Sequence, residues 1–362
     1  MPGHGRQPQS WERAPALHNG ADMNLFELAR ALVDIESVTN HEKQVGDFLF
    51  SHISGLTARY SGRVERIPVE PQRDNIFACW GEPVVTLSTH MDTVPPFFPS
   101  REDDEFLWGR GACDAKGIIA AMIAAAENLL AAGTRNFGVL IVVGEERNSA
   151  GAKAAAATPR GSRFLINGEP TENRLALGAK GALRYEITAL GKLAHSAYPE
   201  LGHSAIHTLL DVLHDIREIP LPREPLLGAS TLNIGTISGG HAPNVVADEA
   251  RAEIMFRTVG DPTPLREAVS AAVAGRAKAR EVLHTPALRL ASFDSLPTTV
   301  VAFTTDIPTF GDAWGKAFLI GPGSIHVAHT VEERISKKTL SEAVEIYARM
   351  VTQLLAIGQV RS

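Results

Sequence analysis

The chain has little of what several classes of protein require. Its 362 residues include two cysteines, Cys79 and Cys113. That is too few for a disulfide framework, and a reducing cytoplasm is the expected setting. Positive charge is not in excess: 35 Lys and Arg against 41 Asp and Glu give a net charge of −6, whereas a nucleic-acid binder carries a basic surplus. The most apolar stretch, 118–132, is too short to span a bilayer and contains Glu127 and Asn128, so no membrane association is expected. Residues 1–22 lack the apolar core of a secretory signal. Internal repeats are absent, and so is low complexity apart from Ala-rich segments of helical type. What remains is a chain with 44% apolar residues, long for one domain and sufficient for two.

Helical periodicity begins after Met23, with Leu25, Leu28, Ala29 and Leu32 on one face. The Pro-, Gly- and His-containing segment 1–22 is therefore expected to be an extension that adds little to the fold. Apolar runs then alternate with helical patterns: 84–88 (VVTLS), the Ala-rich 118–130, 138–143 (GVLIVV) and 163–166 (RFLI). Unbroken apolar runs suit strands buried on both faces, and strand–helix alternation predicts an α/β layer with a mostly parallel sheet and helices on both faces. The pattern changes near Gly178. Strand-like segments at 183–190, 231–237 and 251–257 and helical ones at 205–216 and 264–273 suit a smaller α+β unit on an antiparallel sheet. A run at 316–320 and a helix at 340–355 return to the first layer. The expected organisation is a discontinuous catalytic domain, 23–177 with 286–362, interrupted by an inserted lid or dimerisation domain, 178–285.

Ligand-type residues stand immediately after the apolar runs. His90 and Asp92 follow the first, Glu145 and Glu146 the second and Glu169 the third; His329 follows the 316–320 run and its Gly-Pro-Gly turn. In a parallel sheet the strand C-termini share one edge, where open α/β sheets bind ligands. Asp114 precedes the Ala-rich helix. Two His, one Asp and two Glu, with an Asp in excess, can hold two divalent metals, and imidazole mixed with carboxylate favours zinc-like ions over calcium. Asp92, two residues past His90, is placed to hold that imidazole from behind. Of the adjacent Glu145 and Glu146, one can ligate while the other stays free as a general base.

The order His90-x-Asp92, Gly109-Arg-Gly-x-x-Asp114-x-Lys-Gly117, Glu145-Glu146, Gly168-Glu-Pro170 and the late His329 resembles the M20 family of metallopeptidases and deacylases over the whole chain from about Met23. The resemblance implies that His90, Asp114 and Glu169 hold one metal and Asp114, Glu146 and His329 the other. Zinc is the expected ion, cobalt an alternative. It also implies that Asp114 bridges, that Glu145 is the base, and that the Asp114–Ala115 peptide is cis. The segment 191–202 (GKLAHSAYPELG) looks like the family's lid motif, in which His195 closes on the substrate carbonyl, from its own subunit or from a homodimer partner. Residues 231–240, Asn244 and Arg257 resemble the acetylornithine deacetylase branch, with Arg257, Asn244 and Gly323 as substrate contacts. Many relatives carry Asp two residues before this arginine, where this chain has Met255.

The function this implies is hydrolysis of the amide of an N-acyl amino acid, a small-molecule substrate: deacetylation of N-acetyl-L-citrulline or N-acetyl-L-ornithine in arginine biosynthesis. Succinyl-diaminopimelate desuccinylase and dipeptidase activities share the chemistry, and a non-catalytic metal-binding module is the reading from another class. An intact free base, Glu145, argues against the last. Competing assignments are His326 for His329 as ligand, Cys113 as an extra ligand rather than an inert small hydrophobe, Asn244 as a turn residue, and Lys116 as structural.

Overall fold

The computed structural model describes residues 23–293 and 295–359; the expected extension 1–22 lies outside them. A six-stranded mixed sheet forms the main layer. Its strands run in the order Arg63–Glu70, Arg73–Trp80, Phe137–Val142, Val85–His90, Phe164–Asn167, Lys316–Leu319. The last four are mutually parallel and the first two form an antiparallel flank. Alternate residues of one strand enter different cores. Ile76, Ala78 and Trp80 pack with the helices Leu25–Val33, Lys43–Tyr60, Lys116–Ala131 and Lys337–Gln359, while Phe77 and Cys79 pack on the other face with Ala152, Ala155, Phe310 and Trp314. Burial on both faces is why these strands read as unbroken apolar runs.

The flanking pair is not among the strands expected from the sequence, although 76–80 (IFACW) is an apolar run buried on both faces. Arg63–Glu70 reads RVERIPVE and is mostly exposed or half-buried, and the strand Arg73–Trp80 opens with Arg73, Asp74 and Asn75. Those polar residues are used structurally. Arg73 donates from Nε and Nη2 to the two oxygens of Glu42, at 2.8 and 2.5 Å, and both side chains are buried. This fork joins the start of the helix Lys43–Tyr60 to the sheet directly beneath Gly144. There the backbone turns left-handed (φ 77°), and an added Cβ would lie 3.0 Å from Arg73 Nη2. Gly144 is thus required by conformation and by space, and it delivers the chain to Glu145.

The second sheet is wholly antiparallel, in the order Thr231–Gly239, Glu249–Thr258, Gly181–Leu190, Ala277–Thr285. The helices Ala205–Arg217 and Thr263–Val273 cover one face and share a core of Leu183, Tyr185, Ile187, Leu209, Val212, Ile254 and Phe256. The strand Ala277–Thr285, not among those expected from the sequence, has no fully buried residue along its length. A small sheet of Leu175–Ala179 with Leu288–Arg289 and Thr298–Val301 lies where the chain passes between the two larger ones. No helix among the described residues is long and apolar enough to cross a membrane.

Removing one partner of a buried, hydrogen-bonded ion pair strands the other charge, at about 3–5 kcal/mol. Arg73→Ala should therefore lower the unfolding free energy by that order, measured by chemical denaturation. The double change Arg73→Met with Glu42→Leu should recover most of it. Equal stability of Arg73→Ala and the parent would show that the fork carries no weight.

Candidate metal centre and substrate cleft

The four parallel strands end at one edge, and their registers align: His90 lies opposite Val142, and Asn167 opposite both Ser88 and Leu319. His90 is the last residue of its strand, while Glu145, Glu146 and Glu169 lie in the turns just past theirs. Candidate ligand atoms of His90, Asp114 and Glu146 all fall within 4.8 Å of one another. Asp114 divides its carboxylate: Oδ1 stands 2.9 Å from His90 Nε2, and Oδ2 stands 3.2 Å from His329 Nε2. His329 Nε2 is also 2.9 Å from Glu146 Oε1. Of these two exposed histidines, His329 and not His326 reaches this group. Glu145 and Glu169 line the same cleft of about 610 Å³ as Asp114, Glu146 and His329.

Two further acids hold this arrangement from behind. His90 Nδ1 donates to the Asp92 carbonyl at 3.0 Å and lies 3.5 Å from Asp92 Oδ1. The Asp92 carboxylate accepts the amides of Glu145 and Glu146 at 3.0 and 3.2 Å and the Thr39 hydroxyl at 2.8 Å. One buried side chain thus orients the imidazole and the Glu-Glu turn together. Glu333, fully buried, accepts the amides of Gly111, Cys113 and Asp114 and takes Arg110 Nη1 at 2.5 Å. It forms the seat of the Asp114 loop, where the Asp114–Ala115 peptide is cis. Three amides converging on one carboxylate cannot be read from spacing along the chain. Lys116 is buried and donates to the Ile35 carbonyl, and burial pushes its pKa down to about 7.

Charge is the dominant stress here. Burial pushes the carboxyls of Glu145, Glu146 and Glu169 above their ordinary range, and neighbouring acids add to the effect. Burial also pushes Asp306, close enough to couple to Glu145 and Glu169, up to about 6; it was missed because it lies far along the chain, before a short helix. Hydrogen bonds to Asp114 and Glu146 push His329 up to about 10. Burial alone would lower the His90 pKa, but Asp114 and Asp92 hold it well above normal. Glu169 Oε1 is buried with no hydrogen-bond partner. A cluster of carboxylates and imidazoles with an orphaned oxygen is a donor set suited to divalent zinc-like cations, which would relieve the repulsion and satisfy the orphan.

Other expected residues fall elsewhere. Arg257 lines the cleft, half-buried, and burial alone lowers its pKa. His195 and Asn244 are exposed and close to each other, with His195 bridged to Val245 and the Ser196 amide donating to the Asn244 carbonyl at 3.0 Å. Neither is among the residues lining the cleft. Gly323 packs behind the Asp114 loop: an added Cβ would lie 2.5 Å from Cys113 Sγ. Cys113 is buried, and burial raises its thiol pKa well above normal, as an inert packing residue requires.

Comparison with known proteins agrees with this geometry. The family model described as Peptidase family M20/M25/M40 matches residues 86–353. A peptidase M20 domain-containing protein of Schizosaccharomyces pombe is 38% identical over 91% of this chain and 84% of its own length. A probable carboxypeptidase of Aspergillus terreus is 35% identical over 91% and 86%. The crystal structure of the Bacillus subtilis YXEP protein, described as a dinuclear metal-binding peptidase, superposes with a TM-score of 0.64 at 16% identity, covering 92% of this chain and 98% of that one.

If Glu333 seats the Asp114 loop, Glu333→Ala should weaken metal binding by about 10–100-fold, the usual range for partners that orient ligands. Titration with zinc followed by calorimetry measures this. Unchanged affinity in a folded variant would remove Glu333 from that role.

Proposed function

The chain belongs to peptidase family M20, whose members are dinuclear metal-dependent enzymes that hydrolyse amide and peptide bonds, and from that we propose that it cleaves N-acyl amino acids bearing a free carboxylate on the leaving amine. The observation that carries the proposal is Arg257, a half-buried cation in the same cleft as the ligand cluster. Its planar fork suits a carboxylate.

His90, Asp114, Glu146, Glu169 and His329 would hold two divalent ions, zinc or alternatively cobalt. Bound there, such ions polarise a carbonyl and lower the pKa of a water. Glu145, held by its amide on Asp92, takes the proton of the attacking water and delivers it to the leaving amine. Asp92 fixes the orientation of His90. Arg257 draws the α-carboxylate in and so places the scissile amide toward the carboxylate edge. His195 would donate to the carbonyl oxygen once the second sheet closes on the cleft.

N-acetyl-L-citrulline and N-acetyl-L-ornithine, the substrates expected from the sequence, both fit this class. Ornithine would bring an ammonium group into a cleft lined by Arg147, Lys153, Arg184 and Arg257, so the neutral ureido group of citrulline is the better match of the two. Cleavage of a C-terminal residue from a peptide is the second reading. It uses the same carboxylate clamp and is favoured by the 35% identical relative named a probable carboxypeptidase.

Glu145→Gln should keep its metals and lose kcat by several orders of magnitude, with metal content and steady-state rates on N-acetyl amino acids read together. Loss of a metal from Glu145→Gln, but not from Glu146→Gln, would reverse the two roles. Inactivity of the metal-loaded parent toward both N-acyl amino acids and peptides would sink the proposal.

The edge strand Thr231–Gly239 has one unpaired side, with Ile237 and Leu210 exposed nearby, which supports a homodimer formed through this sheet. In such a dimer, co-assembled His195→Ala and Glu145→Gln subunits should recover part of the activity that each lacks alone, if His195 acts on the partner's cleft. A monodisperse active monomer in light scattering would refute the dimer.

A further inference from the structure

The cleft contains a second arginine with no part in the reaction as described. Arg184 lies directly opposite Met255, and Arg257 opposite Ala182, on adjacent strands. Side chains alternate along a strand, and the intervening Leu183, Tyr185, Ile254 and Phe256 belong to the helix-packed core. Arg184, Met255 and Arg257 therefore share the uncovered face, and both arginines line the cleft beside Asp114, Glu145, Glu146, Glu169 and His329. They are diagonal neighbours, about 7–8 Å apart at the backbone, within mutual reach of long side chains.

Two guanidinium groups so placed repel unless an anion lies between them. The position on this face that could have supplied one is Met255, which is apolar. Glu186, the next acid along the strand, is engaged by Arg280. Arg184 Nε is buried without a hydrogen-bond partner. A buried guanidinium N–H without a protein acceptor is costly, and the half-buried Arg257 stands in the same cleft. Arg147 and Lys153 add charge of the same sign.

We infer that Arg184 and Arg257 together form a subsite for two carboxylates of one amino acid, so that the residue released is aspartate or glutamate, from an N-acyl derivative or from the C-terminus of a peptide. The inference rests on the reading above that Arg257 takes the α-carboxylate; Arg184 then takes the side-chain carboxylate and acts as a specificity-determining residue.

Binding and turnover test the two layers separately. On the metal-loaded Glu145→Gln protein, calorimetry with N-acetyl-L-glutamate and the near-isosteric N-acetyl-L-glutamine should show the acid bound on the order of 10- to 100-fold more tightly, as a charge-assisted pair gives. Adding Arg184→Gln should bring the ratio near one, Arg184→Lys should retain part of it, and Met255→Asp, which inserts a carboxylate between the arginines, should also collapse it. A ratio near one at the outset, or one unmoved by Arg184→Gln, overturns the subsite. So does an Arg184→Gln effect confined to N-succinyl-L-alanine, which would put the second carboxylate on the acyl side. Turnover is measured with Glu145 intact. Selective binding without hydrolysis of either ligand would refute the reaction while the subsite stands; equal kcat/KM for the two would refute the subsite while the reaction stands.

Discussion

Mutual repulsion among buried carboxylates is the constraint around which this molecule is arranged. Asp114, Glu145, Glu146 and Glu169 meet at one sheet edge, and burial disfavours the charged form of each glutamate. Such a group persists only if its members are held in place and charge of the opposite sign is supplied. Two imidazoles supply part of that charge, on either side of Asp114. The holding is done by residues outside the proposed ligand set: Asp92 beneath one turn, Glu333 with Arg110 beneath another. Both use the same device, a buried carboxylate that gathers backbone amides, so the acids facing the cleft are fixed by acids behind it.

Much of this was legible in the sequence because of one geometric fact. Parallel strands end on a common edge, so His90, Glu145, Glu146 and Glu169 could be placed together once their apolar runs were recognised. Those runs were recognisable because both faces of the sheet are buried. The signal failed where charged residues interrupt the strand and few or none of its side chains are buried, as at Arg63–Glu70 and Ala277–Thr285. Glu333 and Asp306 were not legible as parts of the site. Each is brought in by tertiary packing: Glu333 has no apolar run in front of it, Asp306 stands past the short strand Thr298–Val301, and a single carboxylate in a loop reads as solvated surface. Arg184 was hidden differently: in a strand of alternating burial a charged residue on the open face is the ordinary expectation, and only the second sheet's position beside the first gives that face something to look at.

His195 shows the limit of the same logic. Its motif is local, but its function depends on where one sheet stands relative to the other. Within a single chain it is exposed and its ring accepts from the Ala197 amide at 3.1 Å. A residue of this kind is completed by movement or by a partner, and neither is written into spacing along the chain.

The path of the chain through the second sheet has a consequence of its own. The strands by which it enters and leaves, Gly181–Leu190 and Ala277–Thr285, are neighbours, with Ala182 opposite Thr285. About a hundred residues therefore depart from and return to nearly one point, and the rest of the fold registers their presence only as a short gap. Insertions, losses or wholesale exchange of that segment would leave the registers of the carboxylate edge untouched. The hydrolytic centre and the surface that chooses what it hydrolyses can then diverge at different rates, the first frozen by its charge balance, the second free to be rewritten.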